Sequence, residues 1–339
     1  MTEPRTGRAL ILATKPFEQE SIARSWVEVV ATIALFGAAV AVVFSDTRLL
    51  FKASAAVFAG FVQFRLFALY HEHVHGAVLA HSKPARRLFS GIGMFMLVPR
   101  RAWKETHAFH HRHNGKLEWT SVGSYPVLTT EQLAAATPRE RLAYRIRRHP
   151  LAIIGGYMTV GIAGMCVQAF RRMPKRHWGG PVALGIHAVG FVALTWAFGP
   201  VVALLAWVVP VFVNHAIAAY LFYAQHNFPE THFYDRDSWD YTDAALHGSS
   251  FMEMGPVMQW LTANVGYHHV HHLNPKIPFY RLPQAMAALQ ELQSPHRTSW
   301  NPSDVAACLR LHVWDAKAGR MRTTASTESS PNEDATTTG

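Results

Sequence analysis

The sequence predicts an all-α integral membrane protein with four transmembrane helices, two shorter interfacial or re-entrant helices and a cytosolic helical cap. Three observations predict it. Half of the 339 residues are hydrophobic, with 20 Phe and 10 Trp, and they fall in long runs. A helix of about 20 apolar residues is what a hydrocarbon core of about 30 Å demands. Lys and Arg outnumber Asp and Glu by 32 to 22, a net charge of +10. Much of that excess flanks the apolar runs, as in a chain oriented by its cytoplasmic loops; no basic stretch carries the interleaved aromatics of a nucleic-acid binder. Finally, histidines gather in short boxes where apolar runs end.

Each element follows in order. Residues 1–20 form a polar lead, mobile or lying on the membrane surface, with no resemblance to a cleavable signal peptide. The first span is 25–44, the turn is Ser45-Asp46-Thr47, and the second span is 49–70. Gln63 and Arg65 near its end require snorkelling or a polar pocket. Residues 86–99, flanked by arginines, are too few to cross and suit an interfacial helix. The stretch 138–150 is strongly basic and therefore cytoplasmic.

Residues 151–170 are apolar but broken by four glycines and bounded by positive charge on both sides, which predicts a re-entrant segment. The last two spans are 181–198 and 201–223, turned by Gly199-Pro200. Counting crossings supports this. Three late crossings would leave His226 and the last histidine box across the membrane from the first two boxes, whereas two crossings keep them together. The membrane domain thus covers 21–320, and 321–339 has the composition of a disordered tail. Two distant cysteines, Cys166 and Cys308, exclude a disulfide framework, a four-cysteine iron–sulfur or rubredoxin-like appendage and a Cys-x-x-Cys motif.

The boxes carry the chemistry. In His71-Glu72-His73-Val74-His75 the outer histidines stand one helical turn apart, and His73 points elsewhere. His107, His110 and His111 repeat an i, i+3, i+4 face, and so do His268, His271 and His272. His113 and His269 lie off those faces. Glu72, His113 and His269 are candidates to hydrogen-bond a ligand imidazole, and Asn114, Gly115 and Glu118 to tether the helix end. His226 in Gln-His-Asn-Phe stands where His71 stands, at the exit of a span; alone it reads equally as an interfacial histidine.

Eight face-sharing histidines, or nine with His226, exceed the four ligands of a structural zinc and suffice for two ions with open positions. Soluble di-iron bundles use Glu-x-x-His motifs, which are absent here. Hydrolytic metal pairs want bridging carboxylates, and few acids accompany these boxes. A redox pair working with dioxygen favours iron. At the mouth of apolar helices it faces a lipidic substrate, so the chemistry indicated is oxygen-dependent attack on an unactivated C–H bond.

The chain resembles the membrane fatty acid desaturase superfamily, most closely its bacterial acyl-lipid branch. HEHVHG at His71–Gly76, HAFHH at His107–His111 and HHVHH at His268–His272 carry the match. LFYAQHNF at Leu221–Phe228, AALHGSSF at Ala244–Phe251 and the stretch Gln259–Leu282 support it. The resemblance implies a mushroom-shaped helical fold with a cytoplasmic cap and a di-iron centre. It implies iron binding by His71, His75, His107, His110, His111, His226, His268, His271 and His272, with Asn264 a loose candidate for a water-mediated contact. It further implies dioxygen as co-substrate, a membrane lipid or other acyl substrate, and a double bond made by removing two hydrogens from adjacent methylenes.

Phe64, Phe67 and Trp103, near the boxes, are candidates to line the acyl tunnel. With no fused haem or rubredoxin donor evident, a separate ferredoxin-like or similar electron donor is implied. Arg100, Arg101, Lys104, Arg112 and Lys116 form a basic surface for an acidic partner or for lipid headgroups. The expected location is a bacterial inner membrane, with site and termini cytoplasmic. Two rival readings stand beside this one. A hydroxylase or ketolase of a lipid, alkane or carotenoid keeps the site and changes the outcome. A histidine-rich metal transporter would need ligands at mid-membrane, whereas these boxes sit at span ends.

Overall fold

The computed structural model describes residues 4–117 and 125–324. Four of its helices are long and apolar enough to cross a membrane: Ile22–Phe44, Leu49–His75, Gly179–Phe198 and Pro200–Ala224. Only 11% of the apolar window of the third is buried within the chain, and Trp196 is 88% exposed. Such a surface is stable against lipid and not against water. The four form two hairpins. Ser45 ends the first helix, and Gly199, at φ +84°, with Pro200 at the start of the next helix, turns the second hairpin.

The Leu49–His75 helix is the centre of the bundle, packed between the first and fourth spanning helices. Gly60 allows the close approach to the fourth: a Cβ there would lie 2.4 Å from Val213 Cβ. The helix outruns the expected span end at residue 70 because the first histidine box continues the same helix, stopped by Gly76 at φ +78°. Arg65 does not snorkel. It is buried in a polar pocket, with Nη2 2.6 Å from Glu28 Oε2, Nε 3.1 Å from Thr32 Oγ1 and the guanidinium 4.0 Å from the Trp260 ring centroid.

The two shorter expected segments also change their bounds. The interfacial helix runs Lys83–Phe95 rather than 86–99, because the Ser82 hydroxyl caps it by accepting the Ala85 N–H and Pro84 fits its first turn. The stretch expected at 151–170 is a broken helix: Pro150–Ile154, then the π-helical Tyr157–Gln168, then Ala169–Arg172. Its glycines let it pack on the fourth spanning helix, Gly156 against the His215 carbonyl and Gly161 against the His215 ring. Both ends return to the same end of the bundle. Arg148 donates to the Pro126 carbonyl at 2.8 Å, and Arg176 Nε donates to Glu105 at 2.8 Å, on the helix of the second box.

The cap is assembled from Arg100–Arg112, Tyr241–His247, Pro256–Leu261 and His268–Leu273, plus short strands. Phe251–Glu253 pairs in parallel with Arg297–Ser299; Leu128–Thr129 pairs in parallel with Val313–Asp315, which pairs antiparallel with Arg320–Arg322. The helix Pro256–Leu261 stops short of the third box, because Ala263 and Asn264 take left-handed backbone (φ +49° and +55°) and turn the chain into it. The N-terminal lead is a docked helix, Gly7–Thr14, rather than a loose arm. Asn274 donates to Thr14 Oγ1 at 2.7 Å and to Glu18 Oε1 at 2.9 Å, and Arg5 pairs with Glu291 at 2.8 Å. The tail expected from 321 starts inside a strand, where Arg322 pairs with Asp315 at 2.7 Å; residues 325–339 lie outside the described residues.

Candidate metal centre

Four segments deliver histidines to one place. His71 and His75 close the second spanning helix. His107, His110 and His111 share a face of the Arg100–Arg112 helix. His226 lies two residues past the end of the fourth spanning helix. His268, His271 and His272 share a face of their own short helix. Their side chains sort into two groups: His71, His75, His107, His111 and His271 in one, and His110, His226, His268 and His272 in the other. Within each group the donor nitrogens lie within 4.8 Å of one another.

The approach is through Nε2. In the first group His71 and His107 are 2.7 Å apart, His71 and His75 3.2 Å, His107 and His111 3.1 Å, and His111 and His271 3.2 Å. In the second, His110 lies 3.1 Å from His226 and 3.3 Å from His272, and His268 lies 2.9 Å from His226 and 3.1 Å from His272. Two nitrogens each about 2.1 Å from one ion lie about 3.0 Å apart at a right angle and about 3.4 Å apart at the tetrahedral angle. The observed spacings are of that size. Hydrogen bonding does not explain them, since neutral imidazole has one N–H and an Nε2 with two Nε2 neighbours satisfies at most one. Lone pairs so crowded repel unless a cation sits among them. The nine histidines therefore fit two metal ions.

The electrostatics agree. Burial first, and neighbouring imidazoles second, hold His107, His110, His111, His268, His271 and His272 well below the usual histidine range. Burial takes His226 down to about 4. These rings are neutral at pH 7, the form that binds metal.

The outer contacts fix ring orientation. His226 Nδ1 lies 2.8 Å from the Gly248 carbonyl, which places its proton on Nδ1 and its lone pair on Nε2. Glu72 Oε1 lies 3.3 Å from His71 Nδ1 and 3.9 Å from His271 Nδ1, and Oε2 accepts the Phe279 N–H at 2.9 Å. Asn264 donates to the Phe279 carbonyl at 3.1 Å, so it supports Glu72 at one remove and touches no imidazole of the cluster. His113 Nδ1 bonds the Phe109 carbonyl at 2.9 Å, His269 Nε2 the Leu292 carbonyl at 3.2 Å, and His73 Nδ1 the Val78 carbonyl at 3.2 Å; all three turn away from the two groups. Asn114 is a tether, donating to Ala244 O and Ser249 Oγ, and Glu118 lies outside the described residues.

An apolar cavity opens against His107 and His110. Phe67 and Trp103 line it, and Trp103 stacks on His107 with centroids 4.5 Å apart. Phe64 does not: it packs in the core with Ile217 and Tyr220. Sequence reasoning missed Met165, Asn214 and Phe222 in this wall. Phe222 alone had a signal, one helical turn before His226.

The family model described as fatty acid desaturase matches residues 47–303. A fatty acid desaturase of Bacillus subtilis is 31% identical over 273 residues, 79% of this chain and 75% of that protein. An acyl-lipid omega-3 desaturase (cytochrome b5) of Arabidopsis thaliana is 27% identical over 77% of this chain and 69% of its own. An sn-1 acyl-lipid omega-3 desaturase (ferredoxin) of Synechocystis is 26% identical over 67% and 64% respectively. With a family match across most of its length, wrapped around the histidine cluster, this chain belongs to the fatty acid desaturase family.

Proposed function

We propose that this oxidoreductase is an oxygen-dependent di-iron desaturase that introduces a double bond into a lipid-linked acyl chain. The observation that carries the reading is the convergence of nine imidazole Nε2 atoms, in groups of five and four, beside an apolar cavity that His107 and His110 line. His71, His75, His107, His111 and His271 would hold one iron, and His110, His226, His268 and His272 the other. Two bound irons supply the change of oxidation state that dioxygen chemistry needs. In balance, adjacent methylenes lose two hydrogens, and dioxygen with two external electrons and two protons becomes two waters.

The protein's own part is positional. The Glu72 carboxylate and the Gly248 carbonyl hold imidazoles with Nε2 inward. Phe67 and Trp103 help exclude water beside the reacting carbons and fix an otherwise flexible chain, which removes much of the entropy cost of reaction.

The electrons come from a separate donor, and relatives named for ferredoxin and for cytochrome b5 support that reading. The protein is multi-pass in a bacterial inner membrane with site and termini cytoplasmic; the even number of apolar helices and the docking of the N-terminal helix on the cap support this orientation. The test is lipid profiling of a host expressing the chain beside its His271→Ala variant. Acyl chains lighter by two hydrogens, absent from the variant host, support desaturation. Chains that gain oxygen replace it with hydroxylation, and metal uptake with unchanged lipids replaces it with transport.

A further inference from the structure

A cavity of about 380 Å³ opens where the helix Pro138–Arg148 gives way to Pro150–Ile154, and no residue of the histidine cluster lines it. Cavities that hold small ligands are of about this size or larger, roughly 300–1,000 Å³. Its wall carries Arg145, Arg148 and Arg310 with the imidazoles of His149 and His312, and none of its described lining residues is acidic. Arg148 is 1% exposed, and its hydrogen bonds go to uncharged acceptors: Pro126 O, Tyr223 Oη, Asn227 Oδ1 and Leu311 O. No carboxylate among the described residues bonds its guanidinium. With Arg145 and Arg310 on the same wall, the cavity holds a positive potential that an anion would relieve.

The surroundings are apolar. Five of the eleven residues of Pro138–Arg148 are arginines. Tyr144 and Arg148, one turn apart, form its buried face. Leu142 and Ile146 each stand two residues before one of these, on roughly the opposite side of the helix, and are 59% and 56% exposed. Leu151 and Ile154, just beyond the helix, are 73% and 47% exposed. An exposed aliphatic stripe among arginines is the pattern of a helix seated at the membrane surface. The cavity therefore lies where the chain enters the bilayer.

We propose that this cavity binds the phosphate of an anionic phospholipid, whose acyl chains lie outside the protein against Leu151 and Ile154. Arg145, Arg148 and Arg310 supply the charge. Basic pockets at the cytoplasmic ends of membrane helices recognise anionic headgroups in this way. A soluble phosphate would match the arginines but would leave the four aliphatic side chains in water. The lipid held here is a companion of the fold and not the chain being desaturated, because the histidine cluster takes no part in the cavity wall.

The test is equilibrium binding of dioctanoyl phosphatidylglycerol to the full-length, metal-loaded protein in neutral detergent, with dioctanoyl phosphatidylcholine and inorganic phosphate as comparison probes. Phosphatidylglycerol should bind about tenfold tighter than phosphatidylcholine. Arg310→Gln should weaken phosphatidylglycerol about fivefold, and Arg145→Gln with Arg310→Gln about tenfold or more. Arg86→Gln with Arg87→Gln removes the same charge from another exposed helix and should leave binding unchanged. Both arginines of the first pair are exposed, and Tm confirms that each variant is folded.

Equal affinity for the two lipids, or an equal loss in the Arg86 and Arg87 variant, overturns the site. Inorganic phosphate that displaces phosphatidylglycerol at equal concentration assigns the cavity to a free anion instead. Thr324 lines the cavity, and the chain beyond it carries Glu328, Glu333 and Asp334. Tenfold tighter lipid binding on deleting residues 325–339 would make that acidic segment the occupant and overturn the lipid. Binding is read without turnover, so its failure and a failure of the desaturase reading are separate results.

Discussion

The Glu72 carboxylate stands 3.3 Å from His71 Nδ1 and is itself held by the Phe279 amide at 2.9 Å. A residue adjacent in sequence to one proposed ligand thus reaches Phe279, after the third box, and through it Asn264, in the turn before that box. The proposed metal centre is tensioned from behind by this chain of contacts.

Removing that carboxylate should weaken metal binding. Glu72→Gln keeps the shape and loses the charge, and metal affinity should drop about 10- to 100-fold. Competition with a chelator, read as metal retained per protein, measures it. Retention equal to wild type would show that the carboxylate orients nothing.

The histidines should separate by position rather than by count. His107→Ala, His226→Ala and His271→Ala should each abolish double-bond formation while the protein still inserts, because each removes an Nε2 from a crowded group. His113→Ala should retain activity, since its ring bonds the Phe109 carbonyl outside both groups. Lipid analysis beside membrane-fraction immunoblots reads both quantities.

The metal-free protein should lose stability in acid. Folding depresses these histidines, to about 4 for His226 and His269, against about 6.5 in an unfolded chain. Above about 6.5 neither state is protonated and pH has no effect through them. Below it the unfolded chain takes up protons that the fold refuses, so stability declines as pH falls from about 6.5 towards 4. Thermal unfolding of chelator-treated protein across that range should show the decline, and restored metal should reduce it.

Breaking the Arg65–Glu28 pair should destabilise the bundle. Arg65→Met removes the nearer cation of Glu28 and leaves it only the looser pair with the exposed Arg24, 3.7 Å away. Breaking a buried pair costs about 3–5 kcal/mol, and because Glu28 is 18% exposed about 2–3 kcal/mol is expected. Adding Glu28→Gln should recover part of that loss. Tm in detergent for the two single variants and the double variant gives the coupling.

The sequence carried the architecture far because its strongest signals are long or periodic. Four apolar runs and three i, i+3, i+4 or i, i+4 histidine faces are read by counting, and they match four long helices and two convergent imidazole groups. What it could not carry depends on contacts between distant segments. Asn264 shows no sign in sequence that it bonds Phe279 rather than a site residue. The polar character of residues 4–20 hid a helix that distant residues fasten down: Asn274, Glu291, Thr242 and the core around Leu10. Phe64 and Phe67 are three residues apart, equally plausible beside a tunnel and packed ring to ring at 6.1 Å, yet only Phe67 reaches the cavity.

Both imidazole groups draw on the third box, through His271 in one and His272 in the other. Neither set of donors is therefore complete until the ribosome has translated past residue 272, after every apolar helix has been made. Metallation is then a late event in biogenesis, and a truncated nascent chain can enter the bilayer without ever assembling either set.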